Sequence, residues 1–384
     1  MIDPRHEKLA DVLVRYSTRV KKGELVGIRA DATAMPLIIA VQRACLKAGA
    51  NCVLLCQPEE WIETLVESGT EEQVAWPSPM MQWYIDTVDV SIGFWAETNP
   101  KFMTRYDPRR AALLQQARRP FLKTFMQREA EGTLRWCGTQ YPTSGAAQDA
   151  EMSLRQYEDF VYKAGLLHLP DPVGAWQKVF DSQERVREYL QGKKTLRFQV
   201  PAYGDHDGTD LTVDCSKSTW INCGGRENFP DGEVFAGPGA VDGHVNYTFP
   251  AVYQGREVQG VRLKFKGGRV VEASAKKGED FLFKMLDQDP GARNLGEIAI
   301  GTNYGITEFS RNTLFDEKIG GTFHAAVGAG YPKSGNSNES GLHWDMVCDM
   351  RPGKDRPGGT ISADGEVFHK DGLFTRAGWP GPTT

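Results

Sequence analysis

The first half of the chain alternates between two hydrophobic periods. Leu9, Val12, Leu13 and Tyr16 fall at helical spacing and predict a helix over Lys8–Val20. After the turn residues Lys22-Gly23, Leu25–Ile28 reads as a short buried strand, and Met35–Ala48 as a helix closed by Gly49. Cys52–Cys56 and Thr87–Phe94 are apolar runs of strand length, and Leu134–Cys137 is another. Between them, Asp107 as cap and Pro108 at the first helical position open a helix reaching Arg128. Two further helices are predicted at Ala146–Gly165 and Val173–Leu190. Strands and helices in this rhythm predict a mainly parallel sheet with crossover helices.

Beyond Gly192-Lys193-Lys194 the period falls to two. Leu196, Phe198 and Val200 alternate with polar residues, as do Leu211 and Val213. Val261–Val271 reads as a hairpin turning at Gly267-Gly268, and Asp364-Gly365 and Asp371-Gly372 mark later turns. The expected organisation is therefore α/β: an N-terminal α/β domain over 1–190 and a β-rich α+β domain over 191–384. No internal repeat or low-complexity segment interrupts it.

Composition narrows the partners. A chain of 384 residues suits two domains. A net charge of −5 argues against a protein that lives on nucleic acid or an anionic membrane surface. The longest apolar runs, such as Leu37–Val41, are far too short to span a bilayer, and Met1–Lys8 lacks an apolar signal core. The seven cysteines include no close CxxC pair, so a disulfide framework is not expected. The expected setting is a reduced, cytoplasmic one, with no nucleic-acid or membrane partner.

Candidate chemistry collects in Leu314–Arg351, dense in carboxylates, glycines and polar turns and holding two of the seven histidines. On a strand, His343 and Asp345 would share one face with Trp344 on the other, and imidazole with carboxylate suits zinc, cobalt or manganese. A three-residue HxD also arises by chance as a structural pair. Glu233 follows a Pro-Asp-Gly turn, where a carboxylate can point into a cleft, although it can also simply cap the turn. Glu297 heads the apolar run Ile298–Ile300 and needs a cationic partner there, either a metal or a Lys or Arg. With His324 these residues provide three carboxylates and two imidazoles, the ligand inventory of a two-metal hydrolytic site. Glu317 is the spare carboxylate: a general base for water, or the ion-pair partner of Lys318. Tyr331 can hydrogen-bond or ligate at the metals, or sit in the core with its hydroxyl satisfied. Cys215, Cys223 and Cys348 lack metal-site spacing and read as small buried hydrophobes. The glycine pairs lack the context of a phosphate loop, the arginines near 109 and 118 read as a solvated helix face, and no GxSxG elbow supports a serine hydrolase.

At these positions the chain resembles the aminopeptidase T / aminopeptidase S family of metallo-aminopeptidases. The resemblance runs through FPDGEVF (229–235), LGEIAIGTN (295–303), LFDEKIGGTFH (314–324), GAGYP (328–332) and NESGLHWDM (338–346), and more weakly through GTQYPT (138–143). It implies a two-domain enzyme, commonly a homodimer with an enclosed site, whose C-terminal domain holds two divalent ions (Zn, Co, Mn or Mg). It carries the ligand role onto Glu233, Glu297, His324, His343 and Asp345, and places Glu317 and Tyr331 as catalytic candidates. The implied reaction is release of N-terminal residues from peptides, with broad specificity. The His324–His343 connection is shorter than expected for the family, which bears on pocket shape and substrate preference. Two other readings share the scaffold. One is an Fe(II)-dependent ring-cleaving dioxygenase, for which a His-Asp pair and one more ligand suffice; the other is an inactive metal-binding homologue.

Overall fold

The computed structural model describes residues 3–204 and 206–382, and its contacts divide the chain into two units. The first runs to Trp176 and takes back Gly225–Pro230. Its strands Leu25–Ala30, Asn51–Cys56, Val90–Trp95, Arg135–Gln140 and the short Asn228–Phe229 form one sheet in which every pairing is parallel. Parallel neighbours require crossovers, which the helices Met35–Lys47, Pro79–Thr87 and Pro108–Ala130 supply. Val26, Ile28, Val90 and Ile92 are buried in the middle of this sheet.

Several boundaries differ from the sequence reading for local reasons. The first helix is α-helical over Pro4–Asp11, capped by the Asp3 side chain accepting from the Arg5 N–H, and then widens into a π-helix over Val12–Ser17. Thr87 ends a helix rather than opening a strand. The helix expected over 146–165 breaks where Glu151 takes φ 58°, and Ser153 and Gln156 form a capping box that starts a new helix at Leu154.

The second unit comprises Gln177–Gly224 and the chain from Asp231 onward. The helix Pro172–Leu190 crosses the division between the units, while the change to alternating strands comes at Thr195. An antiparallel sheet of eight strands, from Arg269–Ser274 at one edge to Leu373–Phe374 at the other, has Thr209–Asp214 and Thr195–Val200 near its middle. A second antiparallel sheet orders its strands Ile221–Cys223, Glu233–Ala236, Leu295–Gly301, Thr322–Gly328 and His343–Asp349. One hydrophobic core joins the two sheets: Leu196, Phe198, Leu211 and Val213 meet Ile298, Ile300, Phe323, Ala325 and Trp344. The Phe198 and Phe323 rings lie 4.6 Å apart at its centre.

Alternation then decides what the other face of the five-stranded sheet presents. Because Phe323 and Ala325 enter the core, His324 and Ala326 face away; because Trp344 and Met346 enter it, His343 and Asp345 face away. Leu295 and Ile298 are both in the core, which strict alternation forbids. A register shift between Leu295 and Glu297 resolves this, since the extra residue, Gly296, turns Glu297 to the same side as His324. Only glycine fits there: a Cβ on Gly296 would lie 2.3 Å from the Ala329 carbonyl oxygen. Gly296→Ala is expected to cost about 1–3 kcal/mol of stability through overpacking, read as an earlier unfolding midpoint in denaturant.

Candidate metal centre

The polar face of the five-stranded sheet brings together every residue of the expected ligand set. Cross-strand pairing sets Glu297 beside Ala326 and Ala326 beside Asp345; His324 pairs with Ala299, His343 with Gly328 and Glu233 with Gly301. Each functional side chain thus has an alanine or glycine as a cross-strand neighbour, which leaves room above the sheet for polar groups to converge. His324 Nε2 lies 3.0 Å from Glu297 Oε1, 3.6 Å from Glu233 Oε2 and 3.7 Å from Asp345 Oδ1. His343 Nε2 lies 3.5 Å from the same Asp345 oxygen. Glu233, Glu297 and His324 are buried, as is most of Asp345.

Three overlapping sets each present ligand atoms within 4.8 Å of one another: Glu233 with Glu297 and His324, Glu297 with His343 and Asp345, and Glu317 with His324 and Asp345. Glu297 belongs to two of these sets, as a bridging carboxylate would. The remaining contacts fit a divalent cation. Each imidazole meets a backbone carbonyl through Nδ1, His324 at Glu317 (3.0 Å) and His343 at Ala329 (2.8 Å). A carbonyl only accepts, so Nδ1 carries the hydrogen and Nε2 is turned toward the carboxylates, the arrangement that orients metal-binding histidines. Glu233 Oε2 and Asp345 Oδ1 are buried with no hydrogen-bond partner among the described residues. Buried carboxylate oxygens without donors are costly unless a cation meets them.

The spare carboxylate follows from a short helix. Asn312 caps Thr313–Asp316 by accepting from the Leu314 N–H, and the chain leaves it as Glu317-Lys318. Asn303 donates its N–H to the Lys318 carbonyl and its side-chain amide to the Asp231 carbonyl, tying that corner to the turn before Glu233. Glu317 and Lys318 are in direct contact, so the ion-pair reading of Glu317 holds geometrically while its carboxylate still reaches the ligand set. Lys318 is 0% exposed and also lies 3.8 Å from Glu233 Oε1 and 3.9 Å from Asp231 Oδ1. From the sequence, Lys318 reads only as a partner for Glu317, and Asp231 carries no signal of a role. The run Asp-Glu-Lys looks like a solvated surface, and nothing in its spacing indicates burial. Glu233 also differs from expectation: it is buried at the start of a strand rather than held at an open turn, with Lys318 and His324 supplying cations.

Tyr331 begins the short turn before Ser334, is 43% exposed, and sets its ring edge-on to Phe235 at 5.8 Å and His343 at 5.3 Å. The segment carrying it is pinned by asparagines: Asn336 donates to the Pro238 and Leu295 carbonyls, Asn338 to those of Gly291 and Gly328. The connection from His324 to His343 is thus an ordered loop. Cys215 and Cys348 are buried as expected, whereas Cys223 is only partly so.

Electrostatics in the metal-free protein reflect the excess of negative charge. Burial opposes charging of His324, but Glu297, Glu233 and Asp345 raise it to about 10. Burial likewise opposes charging of His343, and Asp345 raises it to about 10. Burial pushes Glu233 up to about 8 against the pull of Lys318. Burial works against ionisation of Asp345 too, yet His343 and His324 hold it well below the carboxylate range.

Buried carboxylates, oriented imidazoles and donorless oxygens on one sheet face are the makings of a metalloenzyme. Residues 2–374 match Peptidase_M29, the thermophilic metalloprotease (M29) family, and the chain belongs to that family. Dependence on divalent metal comes with that membership. Aminopeptidase 2 of Geobacillus stearothermophilus is 26% identical over 353 residues, covering 85% of this chain and 84% of its own. The structure of wild-type AmpT from Thermus thermophilus superposes with a TM-score of 0.83 at 23% identity, covering 98% of this chain and all of that one. A 2,5-dihydroxypyridine dioxygenase from Pseudomonas putida KT2440 shares the fold, with a TM-score of 0.58 at 12% identity over 97% of this chain and 98% of its own.

The raised histidines give a measurable sign. Both imidazoles are protonated in the metal-free protein at neutral pH, because their pKa values stand above the ordinary 6.5 at about 10. An ion coordinated by both imidazoles displaces those protons, so its affinity rises with pH until about 10. Calorimetric titration of chelator-treated protein at pH 7 is expected to release more than one proton per chain, seen as a heat that varies with the buffer's ionisation enthalpy. A heat independent of buffer would show the imidazoles already neutral.

Proposed function

We propose that the protein is a metallo-aminopeptidase that holds two divalent ions (Zn, Co, Mn or Mg) through Glu233, Glu297, His324, His343 and Asp345 and releases N-terminal residues from peptides. The observation that carries this reading is Glu297, shared between a set with Glu233 and His324 and a set with His343 and Asp345. The aminopeptidases among the relatives support the substrate class. Bound there, divalent ions would supply Lewis acidity to water and to the scissile carbonyl.

The chain's own residues then divide the work. Glu317, with one oxygen engaged by Lys318, keeps the other to take the proton of the attacking water and return it to the leaving amine. Tyr331 offers its phenol O–H to the carbonyl oxygen as negative charge develops there. The aromatic edges of Phe235 and Tyr331 form an apolar wall that suits a Leu-, Met- or Phe-like first residue. The surplus of carboxylates is what a pair of dications explains and a single Fe(II) does not, so the fold shared with the dioxygenase does not carry its reaction over.

None of the seven cysteines is in a disulfide, which supports a reducing, cytoplasmic setting, and no helix among the described residues is long and apolar enough to cross a membrane. Exposed Trp61 on one helix of the first unit, Met80 and Trp83 on another, and Trp76 in the connection between them support a homodimer. Light scattering on the eluting protein is expected to give twice the chain mass; a monomer at micromolar concentration would remove that part of the reading.

The central test is release of free amino acid from Leu- and Phe-initiated peptides with added zinc, cobalt or manganese. About two ions per chain and loss of activity on chelation and in His343→Ala are expected. Glu317→Gln is expected to lower kcat by roughly 10²–10⁴-fold with little change in KM. One iron per chain with oxygen uptake on a dihydroxylated ring, and no peptide cleavage, would overturn the reading.

A further inference from the structure

Lys318 brings a buried ammonium into the cluster, and its close contacts lie on one side of it. Its ammonium lies within 4 Å of Glu317, Glu233 and Asp231, whereas its positive charge acts on Asp345 only from farther away. The side chain is fully buried, so water does not screen the charge. Three carboxylates placed around its ammonium compensate that buried charge. A lysine in this place is a permanent third cation. With two dications it balances the five carboxylates Asp231, Glu233, Glu297, Glu317 and Asp345. In the metal-free protein it holds the Glu233 side of the cluster together.

We propose that Lys318 makes the two metal positions unequal: the ion held by Glu233, Glu297 and His324 sits beside a fixed positive charge and binds weakly and exchangeably, while the ion held by Glu297, His343 and Asp345 binds tightly. The inference rests on the two-metal reading above. Its physical content is a single repulsion. Two like charges sharing Glu233 in a buried site oppose one another far more strongly than they would in water. The opposing benefit is that the lysine keeps Glu233 and Glu317 in place when that ion is absent. The weaker position can therefore empty and refill without collapse of the cluster, and Lys318 acts as a positioning residue rather than a catalytic one.

The test is a calorimetric titration of the chelator-treated full chain with Co²⁺, followed in parallel by the visible absorption of the bound ion. Wild type is expected to bind two ions in separate steps, the second at least about 10-fold weaker than the first. Lys318→Met is expected to tighten the second step by about 10-fold or more and to leave the first within about threefold. Its melting temperature should fall more without metal than with it, because the metal-free cluster then loses the counter-charge on its Glu233 side. A lysine that served packing alone would lower both melting temperatures equally and leave the ratio of affinities untouched. Lys318→Arg should keep the two steps apart. Should Lys318→Met fail to fold, Glu317→Gln decides: it retains the cation and removes one of its partners, so the second step should weaken further. Two equal steps in wild type, an unchanged ratio in Lys318→Met, or a second step in Glu317→Gln that tightens or does not move would each overturn the proposal. A single ion per chain in wild type would instead fail the two-metal reading itself.

Discussion

The dominant constraint on this protein is a surplus of negative charge on a buried sheet face. Asp231, Glu233, Glu297, Glu317 and Asp345 lie within reach of two imidazoles and one ammonium, all largely sheltered from water. Carboxylates in such a place are unfavourable unless cations compensate them. Much of the surrounding architecture serves that need. Backbone carbonyls fix each imidazole so that its other nitrogen faces the acids, alanines and glycines on neighbouring strands make room, and the Asn303 corner brings Lys318 inward. The core on the opposite face, packed between two antiparallel sheets, makes the strands rigid enough to hold these positions.

The strand-borne parts of this site are legible in the sequence because period-two alternation is a local rule. Alternation alone assigns His343-Trp344-Asp345 to two faces, and Trp344 does enter the core. The alternation of Leu196, Phe198 and Val200 marks the change to β structure in the same way. Where the rule is interrupted, the sequence is silent. The bulge at Gly296 turns Glu297 toward the site, yet reads only as a glycine before an apolar run. Asn303 links the backbones of Lys318 and Asp231, and no window around residue 318 contains that information. The π-helical turn at Val12–Ser17 and the break at Glu151 are likewise tertiary choices laid over sequences that look uniformly helical.

Scaffold and chemistry separate cleanly here. A peptidase and a dihydroxypyridine dioxygenase both superpose on nearly the whole chain, so the arrangement of sheets cannot select a reaction. Selection lies in which side chains the polar face carries and how their charges sum. The asparagine-pinned loop that presents Tyr331 adds a phenol and an aromatic edge at the border of that face without contributing to the core.

The return of the chain to its first unit at Gly225–Pro230 bears on how such a protein comes into being. FPDGEVF places Phe229 in the core of one unit and Glu233 on the polar sheet face of the other. Neither unit is an uninterrupted stretch of sequence, so no single cut separates them intact, and the two cannot be traded between genes as independent cassettes. During synthesis the parallel sheet waits for its last edge strand until all of Gln177–Gly224 has left the ribosome. Completion of the first unit and delivery of Glu233 to the polar sheet face are consecutive events on the nascent chain.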